Sequence, residues 1–425
     1  MKTAQLFTFL LVLAAGPARA TAAEEPFRTD INPALRYYQA FLLGRDFSPA
    51  EKDYLLNTND WRGQKLPERF GELTAGYDKQ LGLVRQAAHA TVPCDWGIDL
   101  SPGPATLLPH LARCKGLAQG ARLRVMWDLQ HGRQDEARDN LIGAFALGRN
   151  SSGDGTVIAA LVQFAIENII CSTVAENFYR FSPENLKELV DGFETAPARG
   201  TMAASMSTEK AGFHDWFVSK VMEFQKANPG NDAAAMAKVR QMFIDLVGPP
   251  EGQTNRTPAS MWDEIARAAG NSSEGVLRLV KDEEALFPRL ATIMALPPGE
   301  YAEQARQFET EIARSTNPFL SLSFPALSKA RQREFSIQVT QAMLRAAVEY
   351  KLHGEAGLRS VADPCGRGPF EFQRFAYQRV DRGFELKSAN EGMGFRQAMI
   401  FVEKDGPAFH VTGAKVGQAV KRGES

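Results

Sequence analysis

Apolar residues recur every three to four positions along most of the chain, the spacing that lines one face of an α-helix. Phe213, Trp216, Phe217, Val221 and Phe224 form one such stripe. Phe335, Val339, Ala342, Met343, Ala346 and Tyr350 form another. Helix starts are marked by their own chemistry. Ser48-Pro49-Ala50-Glu51 offers a capping hydroxyl, a proline in the first turn where its missing N–H costs nothing, and a glutamate placed to complete a capping box. Ser182-Pro183 repeats the arrangement, with Phe181 and Leu186 spaced as a hydrophobic staple, and Thr257-Pro258 opens a third helix in the same way. After Leu352 the period changes. Phe370 and Phe372 alternate with polar residues, and Phe375 and Tyr377 continue in the opposite phase. Phe384 and Leu386 follow a predicted turn at Asp381-Arg382-Gly383, and Met399–Val402 and Phe409–Val411 flank a second at Lys404-Asp405-Gly406. The pattern predicts a mainly α fold, an irregular multi-helix array or bundle with a small C-terminal antiparallel β module following a long helix.

The first twenty residues read differently. Lys2 precedes the unbroken apolar run Leu6–Ala15, and Ala18-Arg19-Ala20 has the small-x-small form of a cleavage site. This is the layout of a secretory signal peptide, too short to cross a bilayer as a helix. It predicts an exported chain, periplasmic or extracellular, with its mature start near Thr21. The longest later apolar run, Val157 to Cys171, is interrupted by Gln163, Glu167 and Asn168, so no transmembrane span is expected in the mature chain. The Gly-Pro-rich break around residues 248–252 suggests a linker. The expected division is 1–20 signal peptide, 21–248 helical domain, 249–324 second helical part, and 325–425 long helix plus small β-sheet module.

With 425 residues, 44% hydrophobic and 23% charged, the chain has the composition of an ordinary globular protein. Its net charge of −1 lacks the basic footprint that nucleic-acid binding requires. The expected partner is a protein or an envelope component. Four cysteines, Cys94, Cys114, Cys171 and Cys365, are too sparse for a disulfide scaffold, although Cys94 and Cys114 flank one loop and form a candidate disulfide pair.

Within residues 121–150, a helix ending at His131-Gly132 is followed by one in which Ala137, Leu141 and Ala144 share a face. The spacing of Gly132, Ala137, Leu141 and Ala144 resembles a tetratricopeptide helix-turn-helix unit, although no second copy follows at the repeat period. Ala34-Leu-Arg-Tyr-Tyr38, Cys94-Asp-Trp-Gly-Ile-Asp-Leu100, Gly103–His110 and Asp363–Phe370 resemble stretches of uncharacterised, exported, mostly helical bacterial proteins, which implies a fold and an export route but no activity. Tyr350-Lys-Leu-His-Gly354 followed by Asp363-Pro-Cys-Gly366 is locally similar to the C-terminal part of type II secretion pseudopilins. Those proteins begin with a cleaved leader and a long apolar fibre helix. The long helical stretch that precedes the similar segment here departs from that plan, so a pilus-subunit role does not follow.

The chain has no Gly-x-Ser-x-Gly elbow, His-Glu-x-x-His pair or EF-hand loop. Gly148–Thr156 is glycine-rich but lacks the lysine of a phosphate loop and follows a helix where a strand is required, so it reads as a helix-helix turn. Three constellations carry candidate chemistry. His89, Cys94, His110 and Cys114 offer two nitrogens and two sulfurs for a tetrahedral metal site, competing with oxidation of the thiols. Gln163 and Glu167, four apart on an apolar helix, predict either a thin exposed edge or a buried carboxylate paired with Arg122, Arg124 or Arg149. Asp95 and Asp99 beside Trp96 could face a cation or a sugar, or Trp96 could plug the core while Asp99 caps the next turn. No cofactor is expected. The reading favours a non-enzymatic binding or scaffold protein of the cell envelope. The alternative is a hydrolase or lyase using Glu167, His110 and Asp99 in a helical cleft.

Overall fold

The computed structural model describes residues 27–56, 61–248, 257–366, 368–377, 379–388 and 397–404. The predicted signal peptide, the Lys404-Asp405-Gly406 turn and the Phe409–Val411 strand lie wholly or partly outside them. Capping chemistry places the helices as the sequence indicates. Ser48 and Glu51 exchange hydrogen bonds as a capping box, Ser182 Oγ accepts from the Asn185 N–H, and Thr257 and Ser260 cap reciprocally.

The first group of helices is α1 (Pro33–Leu42), α2 (Pro49–Leu56), α3 (Glu68–Thr74), α4 (Asp78–Ala88), α5 (Pro109–Gln130), α6 (Gln134–Ser151), α7 (Val157–Glu176) and α8 (Pro183–Glu194). A second group follows: α9 (Met202–Glu209), α10 (Trp216–Ala227), α11 (Asp232–Val247), α12 (Pro258–Ala268), α13 (Ser273–Lys281), α14 (Leu286–Ala295) and α15 (Pro298–Arg314). A π-helical turn, Lys210–Asp215, joins α9 to α10. The long α16 (Leu320–Ser360) kinks at Gly354, whose φ of 65° is left-handed. It leads to an antiparallel sheet, β1 (Glu371–Tyr377), β2 (Val380–Lys387) and β3 (Ala398–Val402), in that spatial order. The fold is therefore mainly α with a small C-terminal sheet behind a long helix.

The first hairpin turns before the predicted point. Arg379 takes φ 66°, while Asp381-Arg382-Gly383 belong to β2. Phe375 pairs with Gly383 and Ala376 with Asp381, so Arg382 is an extra residue bulged out of that pairing.

The two helices expected on either side of Gly132 are present. α5 and α6 pack against each other, with Gly132 left-handed at the turn and Ala137, Leu141 and Ala144 fully buried. α7 lies across both. It is long and apolar enough to cross a membrane, yet it packs against α5, α6, α9 and α16, and Ile166, Ile170 and Val174 are sealed in the core.

The expected boundaries do not coincide with the cores. Phe217, Val221 and Phe243, from before the 248–252 break, share one cluster with Trp262, Ile265 and Val276 from after it. α10 and α11 therefore share their apolar faces with α12 and α13. The C-terminal module is not separate either. Phe384, Leu386 and Phe401 of the sheet share a core with Leu81, Leu141 and Ile170 of the first helices. Phe178 stands edge-on to both Phe384 and Phe401.

Candidate functional site

The polar stripe predicted on α7 is fully buried. Gln163 and Glu167 are both 0% exposed. Burying a carboxylate requires charge and hydrogen-bond partners on every side, and four elements supply them. From α6, Arg149 Nε pairs with Glu167 Oε1. From α7 itself, Gln163 Nε2 donates to the same oxygen at 3.1 Å. From the loop after α8, Arg199 Nη2 donates to Oε2 at 3.0 Å. From α16, Gln341 Nε2 donates to Oε2 at 2.8 Å. Oε2 thus accepts two hydrogen bonds, while Oε1 accepts one and has the Arg149 guanidinium beside it as an ion-pair partner. The network extends outward, with Gln163 Oε1 accepting from Ser152 Oγ at 2.5 Å and from the Gly200 N–H at 2.9 Å. Arg199 also donates to Gln341 Oε1. Of the three partners expected for Glu167, Arg149 is the one present; Arg122 pairs with Glu176 and Arg124 with Asp78.

The two arginines reach open clefts. A cleft of about 580 Å³ between α8 and α16 is lined by Arg149, Phe193, Arg199, Gln341 and Arg345. A second, of about 550 Å³ beside the loop after α4, also includes Arg149 and Arg199, together with Cys94, Asn150 and Pro197. The guanidinium pair forms a shared wall, and Glu167 lies behind it.

The other candidate residues lie elsewhere. His110 on α5 is buried, its ring stacked on Trp96 with centroids 4.5 Å apart. Its Nε2 is 3.5 Å from Asp154 Oδ2. Asp154 Oδ1 accepts from the Thr156 N–H and hydroxyl, both at 3.0 Å, just ahead of α7. Glu209 Oε1 accepts from the Val157 N–H at 2.9 Å, an acid at a helix start where the dipole favours negative charge. Asp99 is exposed and accepts from the Ser101 N–H and hydroxyl. Trp96 plugs the core. Glu167, His110 and Asp99 therefore have separate partner sets, and none of the three lines either cleft.

The proposed four-residue metal set is not assembled. Among the described residues no three His, Cys, Asp or Glu side chains are placed to share a metal ion. His89 packs on Phe27 at the end of α4, and His110 is committed to Trp96 and Asp154. Cys94 and Cys114 are two separate thiols, unbridged but near enough that Cys94 helps raise Cys114. Burial pushes the Cys94 thiol up to about 12, raises Cys114 well above the usual thiol range and raises Cys171 as well. Such thiols are poor nucleophiles at neutral pH.

Arg199 and Gln341 were not legible as site residues. They lie 32 and 174 positions from Glu167, and no local spacing links them to it. No protein-family model, curated protein or solved structure matches the chain.

A second buried carboxylate lies outside this network. Glu283, between α13 and α14, is 7% exposed, and burial pushes its carboxyl up to about 8. The folded state therefore holds this proton more tightly than the unfolded chain does. The associated stability is complete below the unfolded pKa, near 4.5, and is lost as pH rises through about 8. Thermal melts should show Tm falling between about pH 5 and about pH 9, with a visibly flatter profile in Glu283→Gln.

Proposed function

We propose that the protein is an exported, non-enzymatic binding protein of the cell envelope that receives its ligand in the cleft between α8 and α16. The observation that carries this reading is the Arg149–Arg199 wall. Two guanidinium groups are held in fixed positions at an open cleft by a carboxylate buried behind them. A concave, half-apolar surface with a few convergent polar groups is the usual form of a ligand site. The hydrolase or lyase alternative requires acid and base side chains to converge on one cleft, and Glu167, His110 and Asp99 have separate surroundings. The nearby thiols are held protonated by burial.

The test is native mass spectrometry of protein purified from its own cells, wild type against Ala342→Trp, which places an indole in the cleft that Ala342 lines. A retained ligand mass, lost in the variant while Tm is unchanged, supports the reading. No retained mass, or the same mass in both proteins, would contradict it. N-terminal sequencing of the same sample should begin near Thr21; an intact Met1 would overturn the export route.

A further inference from the structure

We infer that the α8–α16 cleft recognises an amphiphilic oxyanion, a carboxylate or phosphate head group on an apolar body, with the head group bound by Arg199 and Arg149. This rests on the cleft being the ligand site proposed above, and it adds the chemical class.

The first argument is charge. Three arginines line the cleft against one lining acid, Glu194. Arg345 and Glu194 pair with each other at 3.0 Å on the exposed rim and cancel. Inside, Arg149 and Arg199 share Glu167 as their one carboxylate among the described residues, which leaves one positive charge uncompensated there. Both side chains are largely buried, at 12% and 14% exposure. Burial pulls the Arg149 pKa down, Glu167 only partly restores it, and the neighbouring Arg199 lowers it further. A bound anion would supply the missing counter-charge.

The second argument is unused donors. Arg199 directs Nη2 to Glu167 and Gln341, while its Nε is buried and has no hydrogen-bond acceptor among the described residues. Arg149 gives Nη1 to the Pro197 carbonyl at 3.3 Å, and its buried Nε is ion-paired with Glu167 but makes no hydrogen bond among the described residues. Its Nη2 and Arg199 Nη1 make no hydrogen bond among the described residues. Two planar guanidinium groups with spare N–H donors match the forked acceptors of a carboxylate or phosphate.

The third argument is the remaining lining. Val190, Phe193, Ala342, Val361 and Pro364 provide apolar surface beside the arginines. Phe193 is fixed by stacking on Phe145, with centroids 4.2 Å apart. A bare inorganic ion would leave this surface uncovered, whereas an alkyl or aromatic body would cover it.

Calorimetric titration at low salt with octanoate, octyl phosphate, octanol and inorganic phosphate tests the inference. At least one of the two anionic octyl probes should bind, roughly tenfold or more tighter than octanol, as charge-assisted hydrogen bonds require. Inorganic phosphate alone should be weaker than that probe. The octanoate and octyl phosphate arms decide between the two head groups. Arg199→Gln should remove the preference for the anion over octanol. Glu167→Gln keeps side-chain size and both arginines but removes the competing charge, so it should tighten anion binding several-fold while leaving octanol unchanged. It also keeps the test available if Arg199→Gln does not fold. Octanol binding as tightly as the anions would overturn the oxyanion and leave the ligand cleft standing. No binding by either anion, or no tightening in Glu167→Gln, would overturn the inference, while the native mass measurement judges the cleft separately.

Discussion

Glu167→Ala should cost about 3–5 kcal/mol of folding stability, the size expected when one partner of a buried ion pair is removed and the other remains. The loss is larger than the contact itself because of what stays behind. Arg149 and Arg199 would remain buried beside each other with no carboxylate between them. Gln163 and Gln341 would lose the oxygens to which their amides donate. In a chain of this size the shift in Tm should be about 4–6 °C. Asp191→Ala is the matched control. It breaks the exposed pair with Lys187, whose side chains are 62% and 53% exposed, and should change stability by less than about 0.5 kcal/mol. Chemical denaturation of both variants checks the pair. Equal small losses would mean that the carboxylate is wetter and less committed than its three hydrogen bonds and two arginine partners imply.

Trp96→Ala should have an effect of similar size, about 3–5 kcal/mol. Trp96 is 4% exposed and fills the space where α1, α5 and the end of α6 meet. Its ring stacks with Tyr37 at 5.6 Å and His110 at 4.5 Å, and meets Tyr38 edge-on at 5.5 Å. Its Nε1–H donates to the Asn150 carbonyl at 2.7 Å. Truncation would open a cavity and remove the shorter of that carbonyl's two hydrogen bonds, leaving the one from the Gly153 N–H. The loop that carries Trp96 is also tied to α1, because Asn32 both caps that helix and bonds the Asp95 backbone. The tryptophan is therefore a pin between segments distant in sequence. Asp99→Ala, three residues on, touches only Ser101 and should cost about 1 kcal/mol or less. Urea melts of the two variants should separate clearly; similar midpoints would contradict the pin.

These two residues also mark how far the sequence could be read. Local chemistry was legible. The Ser-Pro and Thr-Pro helix starts act through residues three or four apart, and the fold uses each of them. The Gln163–Glu167 stripe stood out because a carboxylate on so apolar a helix must be paired, and Arg149 was among the expected partners. Arg199 and Gln341 were not, because a loop and a helix far along the chain bring them in. His110, a candidate metal ligand and catalytic residue by sequence, is buried because Trp96 and the Asp154 turn cover it from other segments. The domain division places a boundary at the Gly-Pro break, while α10 and α11 share a core with α12 and α13. A Gly-Pro break signals a chain reversal, but which apolar faces meet across it depends on tertiary packing. The sheet's helical neighbours, α7 and α16, lie before it in the chain, and no pattern local to the strands names them.

Glu167 and its two arginines act as a single electrostatic unit at the centre of the molecule's candidate site. A double-mutant cycle of Glu167→Ala and Arg199→Ala, read by urea denaturation, tests this most directly. The predicted result is strong coupling. The double variant should be less destabilised than the sum of the two single variants by at least about 1 kcal/mol, because removing Arg199 relieves the charge that Glu167→Ala leaves unpaired. Losses that add to within about 0.5 kcal/mol would mean that the two side chains act independently, and would contradict the account.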